Sequence, residues 1–344
     1  MPDPADQTAT PGFAFLLCSE RSGSNLITSL MNGHPAISGP PPSHLFRLFG
    51  LNADRYWPTT DNATFEALLV DFVDAHAAML GEWRTSVDVD ALRACDPSRG
   101  VAGPLEVAYA REAAADSATW SFVKENNTHR IVPFLLANWP TARFVHQVRD
   151  PRDVAASYLR TDSIPGGVEE AVSRWLDDQR ATLAVFGQIR STGRAVRIRY
   201  EDLVSDPHGI TEVLCHALDL EHDPSMLAFH TDPRTQRNAD RIDAWANLGR
   251  PVMPDNVGKY VDTLSDADLR YVELATAELM TVFGYVPVTD VDGLDEQETQ
   301  DRLADLVGQL TPPPPLRITT EDERATRQRR QAIIDRVVGR EARP

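Results

Sequence analysis

An unbroken apolar run, Phe13–Cys18, stands between Pro11-Gly12 and the Ser/Gly-rich stretch Ser19–Ser24, and it constrains the fold more than any other feature of the chain. A strand that is apolar at every position has no polar face to offer water, so it must be covered on both sides, as in the middle of a parallel sheet. Directly after it, Leu26, Ile27, Leu30 and Met31 share one helical face over Asn25–Asn32, and Gly33 stands where the helix should stop. The order strand, tight loop, helix recurs. Phe122-Val123 precedes a helix expected over Asn127–Asn138, Phe144–Val148 precedes a helix opened by Pro151, and a fourth strand is expected at Ala195–Arg199. Strands alternating with helices predict an α/β fold, a central parallel sheet flanked by helices and wound through right-handed crossovers.

Around this sheet the sequence predicts two additions. Phe65, Leu68, Leu69, Phe72 and Val73 recur at helical spacing, so about residues 55–118 are expected to form a helical cap. Beyond residue 290 an acidic stretch leads to Pro312–Pro315, which favours extended polyproline geometry, and then to a charged segment with Ile333, Ile334, Val337 and Val338 on one face. The expected division is a main domain over 1–289 and a linker with an appended C-terminal helix over 290–344, that helix offering its apolar face to a second copy in a homodimer.

Composition excludes several functions. With 42% hydrophobic residues in 344 the chain can bury a substantial core, but its net charge of −17 argues against nucleic acid or a sulfated polyanion as partner. Cys18, Cys95 and Cys215 are scattered, without CxxC spacing or neighbouring histidines, so neither a disulfide framework nor a zinc site is indicated. The first apolar run is too short for a signal sequence or a membrane span, and a cytoplasmic protein is expected. Lysine occurs only at Lys124 and Lys259 against 32 arginines, the usage of a GC-rich bacterial genome.

Two segments carry the chemistry. In Ser19-Glu20-Arg21-Ser22-Gly23-Ser24-Asn25, at a strand-to-helix junction, successive backbone N–H groups and the positive helix end form an anion cradle, to which Arg21 adds charge and Ser22, Ser24 and Asn25 add donors. Alone it also reads as an ordinary Ser-rich turn, and it lacks the GxxxxGK[ST] spacing of a Mg-nucleotide loop. The second, Arg149-Asp150-Pro151-Arg152-Asp153-Val154-Ala155-Ala156-Ser157-Tyr158, lies at the next strand end, where ligands of open parallel sheets bind. Arg149 with Ser157 offers a charge-assisted fork and a hydroxyl to a second phosphate. Arg152 and Asp153 read as solvated charges.

With Arg199–Pro207 (RYEDLVSDP) and Gly258-Lys259-Tyr260, these motifs stand in an order that resembles the sulfotransferases using 3'-phosphoadenosine 5'-phosphosulfate (PAPS), the bacterial members above all, over roughly residues 13–285. The resemblance implies a P-loop NTPase-like sulfotransferase fold, with a sulfuryl group moved from PAPS to a hydroxyl of a small-molecule, glycolipid or secondary-metabolite acceptor and no metal involved. It assigns Arg21, Ser22, Gly23, Ser24 and Asn25 to the 5'-phosphosulfate, Arg149 and Ser157 to the 3'-phosphate, and Tyr200 to the adenine. It also implies that Lys259 closes over the donor's phosphates and that Lys124 touches the bridging oxygen or transferred group; from the residues alone they also read as an exposed loop lysine and a strand-end snorkelling lysine.

The sequence departs from the family in three places. Relatives use a Glu or a His as the base, bacterial ones often a Glu a short distance after the first helix, where this chain has Gly39-Pro40-Pro41-Pro42-Ser43-His44-Leu45, so His44 becomes the candidate base. Its other reading is a cap on the following helix; Glu125 and His129 are reserves, His129 being expected to face outward. Leu26 replaces the tryptophan that stacks on adenine in animal relatives. Glu20, beside the cradle, opposes a phosphate unless Arg21 or Arg152 neutralises it. The competing functions are a catalytically degenerate nucleotide-binding scaffold and a P-loop kinase, the latter opposed by the missing Lys-Ser/Thr pair.

Overall fold

The computed structural model describes residues 10–161, 164–241, 243–291, 293–317 and 321–341. Its sheet has five parallel strands, β1 (Gly12–Cys18), β2 (Ile37–Ser38), β3 (Trp120–Lys124), β4 (Arg143–Val148) and β5 (Ala195–Arg199), in the order β2-β3-β1-β4-β5. The apolar run is the central strand. Its Phe13, Phe15 and Leu17 point to one face, against Phe46, Phe49 and Trp139, and Ala14, Leu16 and Cys18 to the other, against Ile27, Leu30 and Leu214. Each such side chain taken from water contributes about 1.5–3 kcal/mol, which is why the strand tolerates no polar residue. Leu16 pairs with Lys124 and Cys18 with Gln147, so the loops leaving β1, β3 and β4 emerge together at one edge.

The α/β expectation holds, as do helices at Ser24–Asn32 and Pro151–Leu159. The helix expected over Asn127–Asn138 is instead a 3-10 turn, Thr128–Ile131, followed by a helix, Val132–Asn138, that takes Pro133 in its first turn where a missing N–H costs nothing. Strand β2 escapes sequence reading because two residues give no periodicity.

Helices Asn62–Ala77, Val89–Leu92 and Ala102–Ala115 occupy the stretch expected as a cap, with Phe65, Leu68, Leu69 and Phe72 buried. The C-terminal helix, Glu321–Val338, lies against it. Ile333 and Val337 enter the same core cluster as Phe65 and Phe72, so this part of the face expected to serve a second copy is covered by the chain's own cap. Charge reinforces the docking: the buried Asp71 meets Arg336 at 2.8 Å and Arg340 at 2.6 Å while accepting from the Tyr56 hydroxyl at 2.7 Å. Among the described residues no helix is long and apolar enough to cross a membrane.

Candidate active site

The loop from β1 to the Ser24–Asn32 helix adopts a shape that few residues allow. Arg21 has φ +62° and Gly23 φ +83°. A Cβ on Gly23 would fall 2.3 Å from the Tyr200 ring, so glycine is required twice over, for conformation and for the ring packed beneath it. The loop's carbonyls are tied from outside: Gln147 donates to the Ser22 carbonyl at 2.8 Å, and Arg149 to the Arg21 carbonyl at 3.0 Å. With those oxygens held, the loop's amides are left for a ligand.

Arg21, Ser157, Arg149 and Tyr200 converge here. Arg21 Nε donates to Ser157 Oγ at 2.9 Å, and the Arg149 guanidinium sits 4.2 Å over the Tyr200 ring while its Nη2 reaches the Asn256 carbonyl at 3.0 Å. Tyr200 itself accepts from Asn256 Nδ2 at 2.7 Å. Burial, and then the neighbouring Arg149, pull the Arg21 guanidinium below its ordinary pKa. Two buried polar atoms, Arg149 Nε and Asn25 Oδ1, have no hydrogen-bond partner among the described residues. Buried donors and acceptors are rarely left so. Closely placed like charges with an idle donor suit an anion.

Glu20 does not oppose this arrangement. Its carboxylate is turned into a network of its own, accepting from Arg174 at 2.6 Å, Tyr158 Oη at 3.1 Å and Asn126 Nδ2 at 2.7 Å. Arg174, neither Arg21 nor Arg152, neutralises it. Asn126 in turn accepts from Lys124 Nζ at 3.0 Å, so Lys124 is aimed by a relay from Glu20. Burial lowers the Lys124 pKa, and the nearby Cys18, Glu20 and Glu125 partly restore it.

His44 occupies the residue before the Leu45–Leu51 helix with φ +59°, yet its side chain makes no capping hydrogen bond. Glu125 does that work: its carboxylate accepts from the backbone N–H of Phe46 at 3.1 Å and Arg47 at 2.6 Å and from Ser43 Oγ at 3.1 Å. Both oxygens are engaged, so Glu125 positions the His44 loop. His44 Nδ1 is enclosed and has no hydrogen-bond partner among the described residues, and burial together with Arg330, Arg47 and Lys124 drives the ring well below its ordinary pKa. Its imidazole is therefore neutral at neutral pH. His129, expected to face outward, is enclosed, with its ring 3.7 Å from Asp178.

Lys259 stays outside. It lies 3.7 Å from Asp255 and does not line the cavity, whereas its neighbours are fastened: Asp153 accepts from the N–H of Gly258 at 2.8 Å and of Tyr260 at 3.0 Å. Arg152 and Asp153, expected to be solvated, are 5% and 1% exposed. Arg152 grips Asp150, Glu273 at 2.7 Å and the Tyr260 ring, clamping the 258–260 segment onto the Pro151–Leu159 helix. An Arg-Asp pair at a helix start looks the same in sequence whether solvated or bridging, so nothing local announced this.

These groups line one cavity of about 300 Å³, which Arg21, Gly23, Ser24, Asn25, Arg149, Ser157 and Tyr200 share with His44 and Lys124. Ser22 is not among the lining residues; its hydroxyl donates to the Ser19 carbonyl at 2.7 Å and shapes the turn. Sequence reading missed the wall formed by Trp245, Leu248, Val252 and Met253 and the entry of Arg327, because only the tertiary fold brings those segments to the sheet edge. Among the described residues no group of three or more His, Cys, Asp or Glu is gathered to hold a metal ion.

The model of the sulfotransferase family matches residues 14–224. The chain belongs to that family. The sulfotransferase is also similar in structure to the sulfotransferase domain of an olefin synthase from Synechococcus PCC 7002, at TM-score 0.55 and 22% identity over 80% of this chain and 96% of that domain. It is likewise similar to the sulfotransferase domain from the curacin biosynthetic pathway, at TM-score 0.55 and 19% identity over 80% of this chain and 98% of that one. None of the curated proteins matches its sequence. The family match ends before the 245–256 wall and the C-terminal helix, so those parts of the cavity are features of this chain beyond the matched segment.

Proposed function

We propose that this sulfotransferase takes its sulfuryl group from PAPS, releases 3'-phosphoadenosine 5'-phosphate (PAP), and works in the cytoplasm on a hydroxyl of a small or lipid-like molecule. The observation that carries the donor assignment is the convergence of Arg21, Ser157 and Arg149 at the Gly23 turn, with the Arg149 Nε donor left without a hydrogen-bond partner among the described residues. A donor with phosphate groups at two positions suits a backbone cradle with two arginines, Arg21 and Arg149, beside it on one sheet edge. Bound there, the donor supplies a sulfur centre with a phosphate leaving group. Sulfuryl transfer resembles phosphoryl transfer in needing mainly positioning and charge stabilisation. Lys124, held by Asn126, and Arg21 are the cations for charge growing on the leaving oxygen.

His44, neutral and facing the cavity, takes the acceptor's proton through a ring nitrogen in this reading, and Glu125 holds the loop that presents it. The apolar wall of Leu26, Leu80, Trp245 and Leu248 favours an acceptor with a hydrophobic body. The two similar solved domains come from an olefin synthase and from the curacin pathway, in keeping with a biosynthetic intermediate as acceptor. Calorimetric titration with PAP tests the donor assignment. The wild type should bind saturably and Arg149→Ala should weaken binding by at least about tenfold, the loss expected of a charge-assisted contact. Absence of PAP binding by the wild type would overturn it. Incubating cell extract with labelled PAPS and identifying the labelled product would then reveal the acceptor.

A further inference from the structure

The C-terminal helix carries two sets of arginines that meet different fates. Toward the cap, Arg336 and Arg340 are matched by Asp71 and Asp74. Toward the cavity fewer of them are matched. Arg330 Nη2 donates to the Ser43 carbonyl at 2.9 Å, next to His44, and neither Arg330 nor Arg47 forms an ion pair among the described residues. Arg327, one turn earlier, lines the cavity itself, and the partner it has is Glu323 on its own helix at 2.7 Å. Glu125 is the nearby carboxylate, and its oxygens are taken by the backbone N–H groups of Phe46 and Arg47. In a chain with 51 acidic against 34 basic residues, three neighbouring arginines that share a single ion pair among the described residues, Arg327 with Glu323, are not what random placement gives.

We propose that Arg327, with Arg330 and Arg47 beside it, forms an anion subsite at the His44 side of the cavity, and that the acceptor carries a phosphate, sulfate or carboxylate group which docks there. The electrostatics agree with that geometry: burial, and then Arg47, push the Arg330 guanidinium down to about 10 while Glu125 partly opposes them, and an anion beside it would favour its charged form. The helix is held in place independently of any ligand, by Ile333 and Val337 in the cap core and by the Asp71 pairs, so the subsite is preformed. A single anionic group is also compatible with an acidic surface, which would repel a polyanion but is locally reversed here. In catalysis the subsite fixes the acceptor's far end so that its hydroxyl lies near His44.

This inference rests on the cavity being the transfer site, and the test separates the two. The full chain is first saturated with PAP to fill the donor cradle, then titrated with phenyl phosphate and, in parallel, with benzyl alcohol. Phenyl phosphate should bind saturably and benzyl alcohol much more weakly. Arg327→Gln should weaken phenyl phosphate about tenfold or more while PAP affinity is retained, and Arg327→Lys should keep most of the affinity. Equal binding of the two probes, or phenyl phosphate binding unchanged in Arg327→Gln, overturns the proposal. If PAP fails to bind, the donor reading falls, and the same titration without PAP decides the subsite alone through the difference between wild type and Arg327→Gln. Thermal unfolding of each variant identifies any loss of binding that comes from loss of the fold; Arg330→Gln then serves as the second probe of the cluster, with the same expected weakening.

Discussion

At the scale of single residues the role proposed for His44 turns on how its ring is kept neutral. A ring must be unprotonated to accept a proton, and one whose pKa is lowered stays unprotonated as the solution is acidified past the ordinary histidine range. The acid limb of kcat/KM should therefore fall below pH 6.5, and Arg330→Gln, which removes the positive charge that most opposes protonation of the ring, should move that limb upward. His44→Ala should lower kcat by about 10²–10⁴-fold, the usual contribution of a general base, and leave PAP affinity intact. Unchanged turnover would remove His44 from the mechanism. The candidate itself was legible from the proline-rich segment lacking a carboxylate. Its electrostatic setting was not, because Arg330 lies 286 positions away in sequence.

Among the elements, the strands and their following loops were readable because each is a local signal: an apolar run, a small-residue turn, a helix start. What could not be read is which side of a helix meets which neighbour. Arg152 and Asp153 gave the pattern of an exposed helix start and proved to be the clamp on residues 258–260. The C-terminal helix gave the pattern of an appended arm and proved to be a wall of the cap. Its attachment can be measured. Asp71 is buried, accepts from the buried Tyr56 hydroxyl and faces two arginines that reach solvent, so Asp71→Ala should cost about 1–3 kcal/mol, the usual cost of leaving a buried polar group unpaired. Arg336→Ala, at a side chain 43% exposed, should cost about 1 kcal/mol or less. Denaturant titration gives both values. Hydrogen exchange over Glu321–Val338 should accelerate in Asp71→Ala, and protection that stays native there would show that Ile333 and Val337 alone hold the helix.

For the whole molecule, a net charge of −17 surrounds a cationic cavity, and the two act over different distances. The screening length is about 30 Å at 0.01 M salt and about 8 Å at 0.15 M, so salt removes the body's repulsion of an anion before it weakens contact inside the cavity. Stopped-flow measurement should show the association rate of PAP rising between those salt concentrations; a rate that falls would mean that the cavity's own field governs the approach. The position of the last helix has a consequence for descent. The loop around Gly23, to which we assign the donor, lies within the segment matched by the family, while Arg327 and Arg330 lie outside it. Substitutions along one face of Glu321–Val338 can alter what the enzyme recognises at the His44 side while every residue beneath Gly23 stays as it is, so a lineage built this way can diversify its products and inherit its donor unchanged.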